Sequence, residues 1–443
     1  MSYQTVHQQL SAKVRDILPR HIERLTWSRE KIEVFQEKQL RVLLHHVNRH
    51  SPYYRRVLKG HDIDKMTVSD LSTLPMLTKS EVLEHWDDII CVKDLDKATA
   101  ESHLKMLRDN PQANVFYNDQ YYITATGGSS GLRGCYVWDL DCLAEITAVD
   151  FRYQVRDELQ KEGFMPRVVA VLTAPSAIHA STPLCTTQLD SRDKMVHCII
   201  TDAMQDLCEQ LNALQPTHLI GYASVIARLA REQRYGTLRI APLRVTTNSE
   251  PLDDRARETI LNAWGVQANN TWGSVEMGIA GIEDDRHQGL ILSEDMIVFE
   301  PADRKLIITN LFNKALPLIR YVVDDVVEIK KASFTDYQIT PTVEGRTNDW
   351  FFYDGHVEVH PMIFWNILEQ EANIREYQVV QTPKGAQIRV VTFKDLETVR
   401  IQEKLEAALK EVGLSQPEIV LERVKAIARH EETAKLRRFI PLA

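Results

Sequence analysis

The segment Thr126-Gly127-Gly128-Ser129-Ser130-Gly131-Leu132-Arg133-Gly134 lies between two apolar strand-like runs, Tyr121-Tyr122-Ile123 and Cys135-Tyr136-Val137-Trp138. Its glycines carry no Cβ to hold the backbone away from a bulky anion. Thr126, Ser129 and Ser130 set hydroxyl donors beside the backbone N–H groups. Arg133 adds positive charge, so the loop suits the phosphates of ATP. A Gly-x-x-x-x-Gly-Lys-Ser/Thr loop is excluded, because no Lys follows Gly131 or Gly134 and the next residues read as strand. Taken alone, the cluster also reads as an ordinary turn between strands.

The elements that must hold such a loop alternate. Between about residues 115 and 345, strand-like runs (Val168 to Leu172, Leu219-Ile220, Leu243-Arg-Val, Leu306-Ile-Ile) sit between helical stretches such as Ser224 to Glu232 and Asp253 to Trp264. That order predicts an α/β core with functional loops at strand ends. Ahead of it, residues from about 5 to 57 read as helical, with Leu40, Leu43, Leu44 and Val47 at three- and four-residue steps, until Ser51-Pro52 breaks the helix. Capping-type residues open short helices at Thr67 and Leu77-Thr78, so residues 1–90 form a mainly helical entry region. Near the C-terminus, Tyr377 to Gln381, Gln387 to Thr392 and Pro417 to Arg423 read as strands. The stretch Leu396 to Val412 reads as an amphipathic helix with Leu405, Leu409 and Val412 on one face and Gly413 as its stop. The expected division is a large α/β domain over 1–346 and a small, mobile α+β domain over 347–443.

With 443 residues, 44% hydrophobic and 26% charged, the chain is long enough for two or three domains of a soluble globular protein. A net charge of −9 without a long Lys/Arg stripe argues against nucleic-acid binding. The six cysteines show no C-x-x-C spacing, as expected of thiols in a reducing compartment. No run approaches a membrane span and the N-terminus lacks a signal pattern, so the expected location is the cytoplasm.

Five segments occur in one order: the glycine/serine loop, Trp272-Gly-Ser-Val-Glu276, Arg320-Tyr-Val-Val-Asp-Asp325, Gly345-Arg-Thr-Asn-Asp349 and Ala434-Lys435-Leu-Arg-Arg438. Together they resemble the adenylate-forming superfamily of acyl-CoA synthetases, peptide-synthetase adenylation domains and luciferases. The run Leu40 to Arg56, Leu74-Pro-Met-Leu-Thr-Lys79, Pro216-Thr-His-Leu-Ile-Gly-Tyr-Ala-Ser224 and Asn248-Ser-Glu-Pro-Leu252 are similar to the phenylacetate-CoA ligase branch. The resemblance spans nearly the whole chain.

It implies ATP, Mg²⁺ and, as probable co-substrate, CoA. It also implies an acyl-adenylate formed from a carboxylic acid that is aromatic or small and apolar. Thr126, Gly127, Gly128, Ser129, Ser130 and Gly131 then meet the β- and γ-phosphates. Glu276 is the magnesium ligand, and Asn248, Ser249, Glu250, Pro251, Asn270, Trp272, Gly273 and Ser274 border the nucleotide. Trp272 offers a π-face to adenine, with a core aromatic as the other reading. Asp325 accepts from the ribose hydroxyls and Arg346 binds the ribose or phosphates. Asn348 marks the hinge, and Lys435 bridges carboxylate and α-phosphate in the first half-reaction. Tyr222, Ala223 and Thr247 line the acid pocket.

The chain departs from the family pattern at Val275, where a hydroxyl residue precedes the glutamate; at Asp324, where glycine is expected; at Asn348, in place of aspartate; and at Ala434, before the lysine. Glu283 or Asp284 and Gly289-Leu-Ile291 replace the Cys and Gly-x-His of relatives, so no zinc is expected there. His356 with His360, and His287 beside Asp284 and Asp285, read as solvated groups or metal ligands, the first pair favouring the former. Alternative outcomes are acyl transfer to a carrier protein or an amine, AMP transfer to a phosphorylated cofactor, and a degenerate nucleotide or acyl binder. A homodimer is compatible with the resemblance.

Overall fold

The computed structural model describes residues 3–110, 113–125, 134–160, 166–173, 193–200, 203–302, 305–346, 349–355, 357–368, 371, 373–429 and 436–442. The chain divides into two compact units, Met1–Val323 with Val327–Val343, and Asp324–Val326 with Glu344–Ala443. The division falls at Glu344 and assigns Asp324–Val326 to the smaller unit.

In the larger unit the helical entry region is not one helix up to Ser51. Helix Tyr3–Arg24 ends before residues 25–28, and Ser28 caps a new helix, Arg29–His50, by accepting from the Lys31 N–H at 3.4 Å. The N-cap serine breaks the run because its hydroxyl satisfies a backbone donor that a continuous helix would bond internally. Thr78 and Glu81 form a reciprocal capping box on helix Lys79–Glu84. Thr67, by contrast, precedes only the 3₁₀ turn Ser69–Thr73. Val6, Leu10 and Val14, four residues apart, put one apolar stripe of the first helix against the long helix Leu140–Gln160.

The central sheet has nine strands among the described residues. Lys194–Ile199, Val168–Thr173, His218–Tyr222, Arg244–Asn248 and Ala268–Ser274 lie side by side and parallel. Gly278–Ile282, Leu290–Leu292, Gln338–Thr340 and Lys330–Lys331 continue the sheet antiparallel. Helices Ala223–Tyr235 and Asp254–Trp264 connect successive parallel strands, and all the carboxyl ends of those strands meet one edge. A separate antiparallel sheet of Phe116–Tyr117, Tyr121–Ala125 and Cys135–Asp139 contains the hairpin whose connection is the glycine/serine loop, with Ala125 facing Cys135 at its base.

The smaller unit is built on a four-stranded sheet in the order Glu418–Arg423, Gly385–Thr392, Ile374–Thr382 and Phe439–Ile440, covered by helix Thr398–Glu411. The helix buries Ile401, Leu405 and Leu409. Val412 is 40% exposed, contrary to the expected face, because the helix ends at Glu411 and Gly413 turns the chain away at φ 99°.

Candidate active site

Of the residues expected at the site, Tyr222, Asn248 and Ser274 end the parallel strands His218–Tyr222, Arg244–Asn248 and Ala268–Ser274. Strand His218–Tyr222 runs straight into helix Ala223–Tyr235, so Tyr222 has no side chain suited to cap that helix. Glu250 does so from the neighbouring connection: its Oε2 accepts the Ser224 N–H at 3.0 Å. The turn that presents Glu250 passes through Ser249 at φ 63°, a left-handed conformation where the family pattern has glycine. Glu250 therefore contributes a helix cap first, whatever else it meets.

Thr247 is fully buried and donates to Asn270 Oδ1 at 3.0 Å. Tyr222 is also buried, 3% exposed, within the core of the strand–helix layers. The backbone N–H of Asn270 donates to Glu283 Oε2 at 3.1 Å, and Arg257 donates to the same oxygen at 2.9 Å. Glu283 and Arg257 thus fix the strand carrying Asn270. Residue spacing gave no sign of this network, since its members are 13 to 26 positions apart.

Trp272 is 8% exposed and stacks on Phe299, centroids 6.4 Å apart at 28°, as part of the main core. The core-aromatic reading describes most of its surface. Gly273 is required by its own hairpin: a Cβ there would strike the Gly278 carbonyl across the turn. Ser274 Oγ accepts from the backbone N–H groups of Glu276 at 3.3 Å and Met277 at 3.4 Å. Its lone pairs shape the turn, and its proton remains as a donor.

That turn carries Glu276, half-buried, near enough to Tyr136 for its charge to act on the phenol. Tyr136 is buried, and its hydroxyl lies 3.1 Å from that of Tyr321. Burial, and then the negative charge of Glu276, hold the Tyr136 phenol well above its ordinary pKa, so it stays a proton donor. Gly134, which closes the glycine/serine loop, has its space filled by the Tyr136 ring, only 2.5 Å from where a Cβ would sit.

Thr126, Gly127, Gly128, Ser129, Ser130, Gly131, Asn348, His356, Ala434 and Lys435 lie outside the described residues, as does the side chain of Arg346. In the smaller unit Asp325 is buried, 6% exposed, whereas its neighbour Asp324 is exposed. The His360 ring stands edge-on to Trp350 at 4.7 Å. The segment after Lys435 is pinned: Phe439–Ile440 pairs parallel with Ile374–Thr382, and Gln378 Nε2 donates to the Arg437 carbonyl at 2.9 Å.

Among the described residues no group of three or more His, Cys, Asp or Glu is placed to hold a metal. Asp284 pairs with Arg286 and lies 3.5 Å from Arg156, while His287 Nδ1 is 3.8 Å from Glu283. A single hard carboxylate such as Glu276 fits magnesium, which is commonly held by one carboxylate with phosphate oxygens and water. An open cleft of about 630 Å³ is lined by Trp27, Tyr153, Arg156, Asp157, Arg286 and Phe334, and by none of the residues expected to meet the nucleotide or the acid. No helix among the described residues is long and apolar enough to cross a membrane.

No protein-family model matches the chain. Protein CapK of Staphylococcus aureus is 22% identical over 348 residues, 74% of this chain and 71% of that protein. Phenylacetate-coenzyme A ligase of Thermus thermophilus is 22% identical over 391 residues, 81% of this chain and 80% of the ligase. The solved structure of 2-hydroxyisobutyryl-CoA ligase, in the postadenylation state with R3-HIB-AMP, superposes with a TM-score of 0.71 at 16% identity, over 94% of this chain and 91% of that one. The chain shares the fold of that ligase, and over most of its length its sequence is similar to CapK and to phenylacetate-coenzyme A ligase.

Proposed function

We propose that the protein activates a carboxylic acid with ATP and passes the acyl group to the thiol of CoA. A carboxylate oxygen attacks the α-phosphorus, forming the acyl-adenylate as the bond to the β-phosphate oxygen breaks and pyrophosphate leaves. The CoA sulfur then attacks the acyl carbon and AMP departs.

The observation that carries this reading is the superposition of 94% of the chain on 2-hydroxyisobutyryl-CoA ligase, solved in complex with R3-HIB-AMP, at a TM-score of 0.71. Within the chain, Gly134 at the base of the glycine/serine loop packs on the Tyr136 ring, and the charge of Glu276, the carboxylate expected to take magnesium, acts on the same phenol. An anion-binding loop together with one hard oxygen donor suits a nucleoside triphosphate. Bound there, magnesium supplies charge neutralisation on the phosphates. In this reading Thr126, Ser129, Ser130 and the loop glycines bind the β- and γ-phosphates, and Asn270 with Asn248 to Pro251 borders the adenine. Asp325 and Arg346 take the ribose side, Asn348 serves the hinge and Lys435 stabilises the transition state. The acid is small and apolar or aromatic, entering beside Ala223. The cytoplasm is the compartment that suits the reaction's substrates.

ATP–pyrophosphate exchange across a panel of aryl, aliphatic and hydroxy acids with Mg²⁺ tests the proposal. Exchange that depends on one acid, followed by thioester formation with CoA, is the expected result. Exchange without any dependence on acid, or none at all, overturns it. Acid-dependent exchange without a CoA thioester moves the acceptor to a carrier protein or an amine.

A further inference from the structure

We infer that Arg257 and Glu283 are positioning residues for the nucleobase and act on it through Asn270; this rests on the reading that Asn270 borders the adenine.

The antiparallel ladder between strands Ala268–Ser274 and Gly278–Ile282 changes character just past Ile282, where Asn270 faces Glu283. Glu283 still donates its backbone N–H to the Asn270 carbonyl at 2.8 Å. The return bond goes elsewhere: the Asn270 N–H meets the Glu283 carboxylate, 3.1 Å to Oε2, and the Glu283 carbonyl takes the side-chain amide of Asn269 at 3.1 Å. A side chain thus stands in for a backbone carbonyl, so the place of Asn270 depends on which residue occupies position 283.

Glu283 is 2% exposed, and a carboxylate so far from water needs donors around it. Arg257 supplies one: its Nη2 donates to the same Oε2 at 2.9 Å, while its Nη1 donates to the Ala268 carbonyl at 3.1 Å. The planar fork therefore ties the carboxylate to the strand that carries Asn270. Arg257 stands in the first turn of helix Asp254–Trp264, which follows Pro251 and Leu252 in the chain. Pro251, Leu252, Arg257, Asn270, Glu283 and Val343 surround one cavity of about 30 Å³, little more room than a water molecule takes. Both stretches expected to border the base meet the same clamp.

Thr247 occupies one lone pair of Asn270 Oδ1 at 3.0 Å. The amide keeps its other lone pair and both N–H donors. An acceptor and a donor side by side match the N6 amino group and N7 of adenine, whereas guanine presents two acceptors, O6 and N7, along that edge. A clamp that fixes Asn270 is then a device for preferring adenine.

The test measures dissociation constants by titration calorimetry for Mg-ATP, Mg-GTP and Mg-tripolyphosphate, which has phosphates and no base. Wild type is compared with E283A, E283Q and R257A, and ATP–pyrophosphate exchange of wild type is run alongside. E283A should weaken ATP binding and lower the ATP-over-GTP preference by about tenfold, the effect of one lost buried hydrogen bond. Tripolyphosphate should bind as before. R257A should lower the preference by about threefold, since the Asn270 bond survives. E283Q keeps an acceptor for the Asn270 N–H and should regain most of the preference. Melting temperatures follow the fold, and R257A carries the test should E283A fail to fold. A wild type without preference for ATP, an unchanged preference in E283A or R257A, an E283Q no better than E283A, or equal losses for ATP and tripolyphosphate overturn the inference. Wild-type exchange that depends on an acid upholds the functional reading whatever the variants do. Its absence overturns that reading, while the ATP-over-GTP ratios still decide the inference.

Discussion

Glu250 accepts the backbone N–H of Ser224 at 3.0 Å, so a residue from the connection after one parallel strand caps the helix that follows its neighbour. Helix Ala223–Tyr235 begins directly at Tyr222 and has no side-chain cap of its own. Replacing Glu250 with Ala should destabilise the protein by about 1 kcal/mol, the usual cost of a lost N-cap. Glu250→Gln keeps an acceptor and should lose less. Urea unfolding midpoints of the two variants check the order; an Ala variant as stable as wild type would mean that the cap contributes nothing.

The turn that presents this cap depends on Ser249 at φ 63°. Glycine enters that region without a Cβ penalty, at the cost of a more flexible unfolded chain. Ser249→Gly should therefore change stability by less than about 1 kcal/mol. Ser249→Val should destabilise by more than about 1 kcal/mol, since a β-branched residue is strained there. Thermal melts of both variants test the contrast, and equal melting temperatures would count against strain at this position.

These two residues also mark where the sequence stops being legible. Strands Val168–Thr173 and Arg244–Asn248 and helix Asp254–Trp264 lie close to where the residue pattern puts them, because such patterns are local. The break at Ser28 was hidden, since apolar spacing continues on both sides and only the cap geometry reveals it. The Asn248-Ser-Glu-Pro stretch was readable as a motif, but not the task of Glu250, because its partner Ser224 is 26 residues away. The resemblance assigned Thr247 to the acid pocket; the bond from its hydroxyl to Asn270, 23 residues away, is not legible from local spacing.

Deep in the larger unit, Arg152 and Asp295 form a fully buried ion pair at 2.7 Å, with Arg24 at 3.4 Å from the same carboxylate oxygen. Burial opposes the charge on Asp295, but attraction to Arg152 and His21 more than offsets it and holds the carboxyl below the usual range. A depressed carboxylate pKa contributes stability above the unfolded value that is lost as pH falls through the folded one. Asp295→Asn leaves Arg152 buried without its counter-charge and should cost about 3–5 kcal/mol at pH 7. Guanidinium unfolding measures it, and a loss below about 1 kcal/mol would show that the pair is dispensable.

His21 borders that pair, fully buried, with Nε2 2.7 Å from Glu145. Burial lowers its pKa and outweighs the hydrogen bond to Glu145, which raises it. The unfolded chain then binds a proton near pH 6.5 that the native state refuses, so stability is full above that value and falls as pH drops toward the folded pKa. The wild-type urea midpoint should decline between pH 7.5 and 5.5, and His21→Gln should flatten the decline. An equal slope in the variant would place the acid sensitivity elsewhere.

Lys435 lies two residues before Arg437, whose carbonyl is held by the buried amide of Gln378, and just ahead of the strand Phe439–Ile440. The tether restrains the chain two residues after the lysine. Removal of a cation that meets charge only in the transition state affects the chemical step, whereas removal of a tether broadens the lysine's positions. Lys435→Ala should lower ATP–pyrophosphate exchange by about 10²–10³-fold while leaving ATP affinity and melting temperature near wild type. Gln378→Ala should fall between the two, with a lower melting temperature because it also frees the carbonyl of Arg437. Equal loss of exchange and ATP binding in Lys435→Ala, or loss of neither, would contradict the role assigned to the lysine. A Gln378→Ala enzyme with unaltered exchange would show that the anchored strand alone positions it.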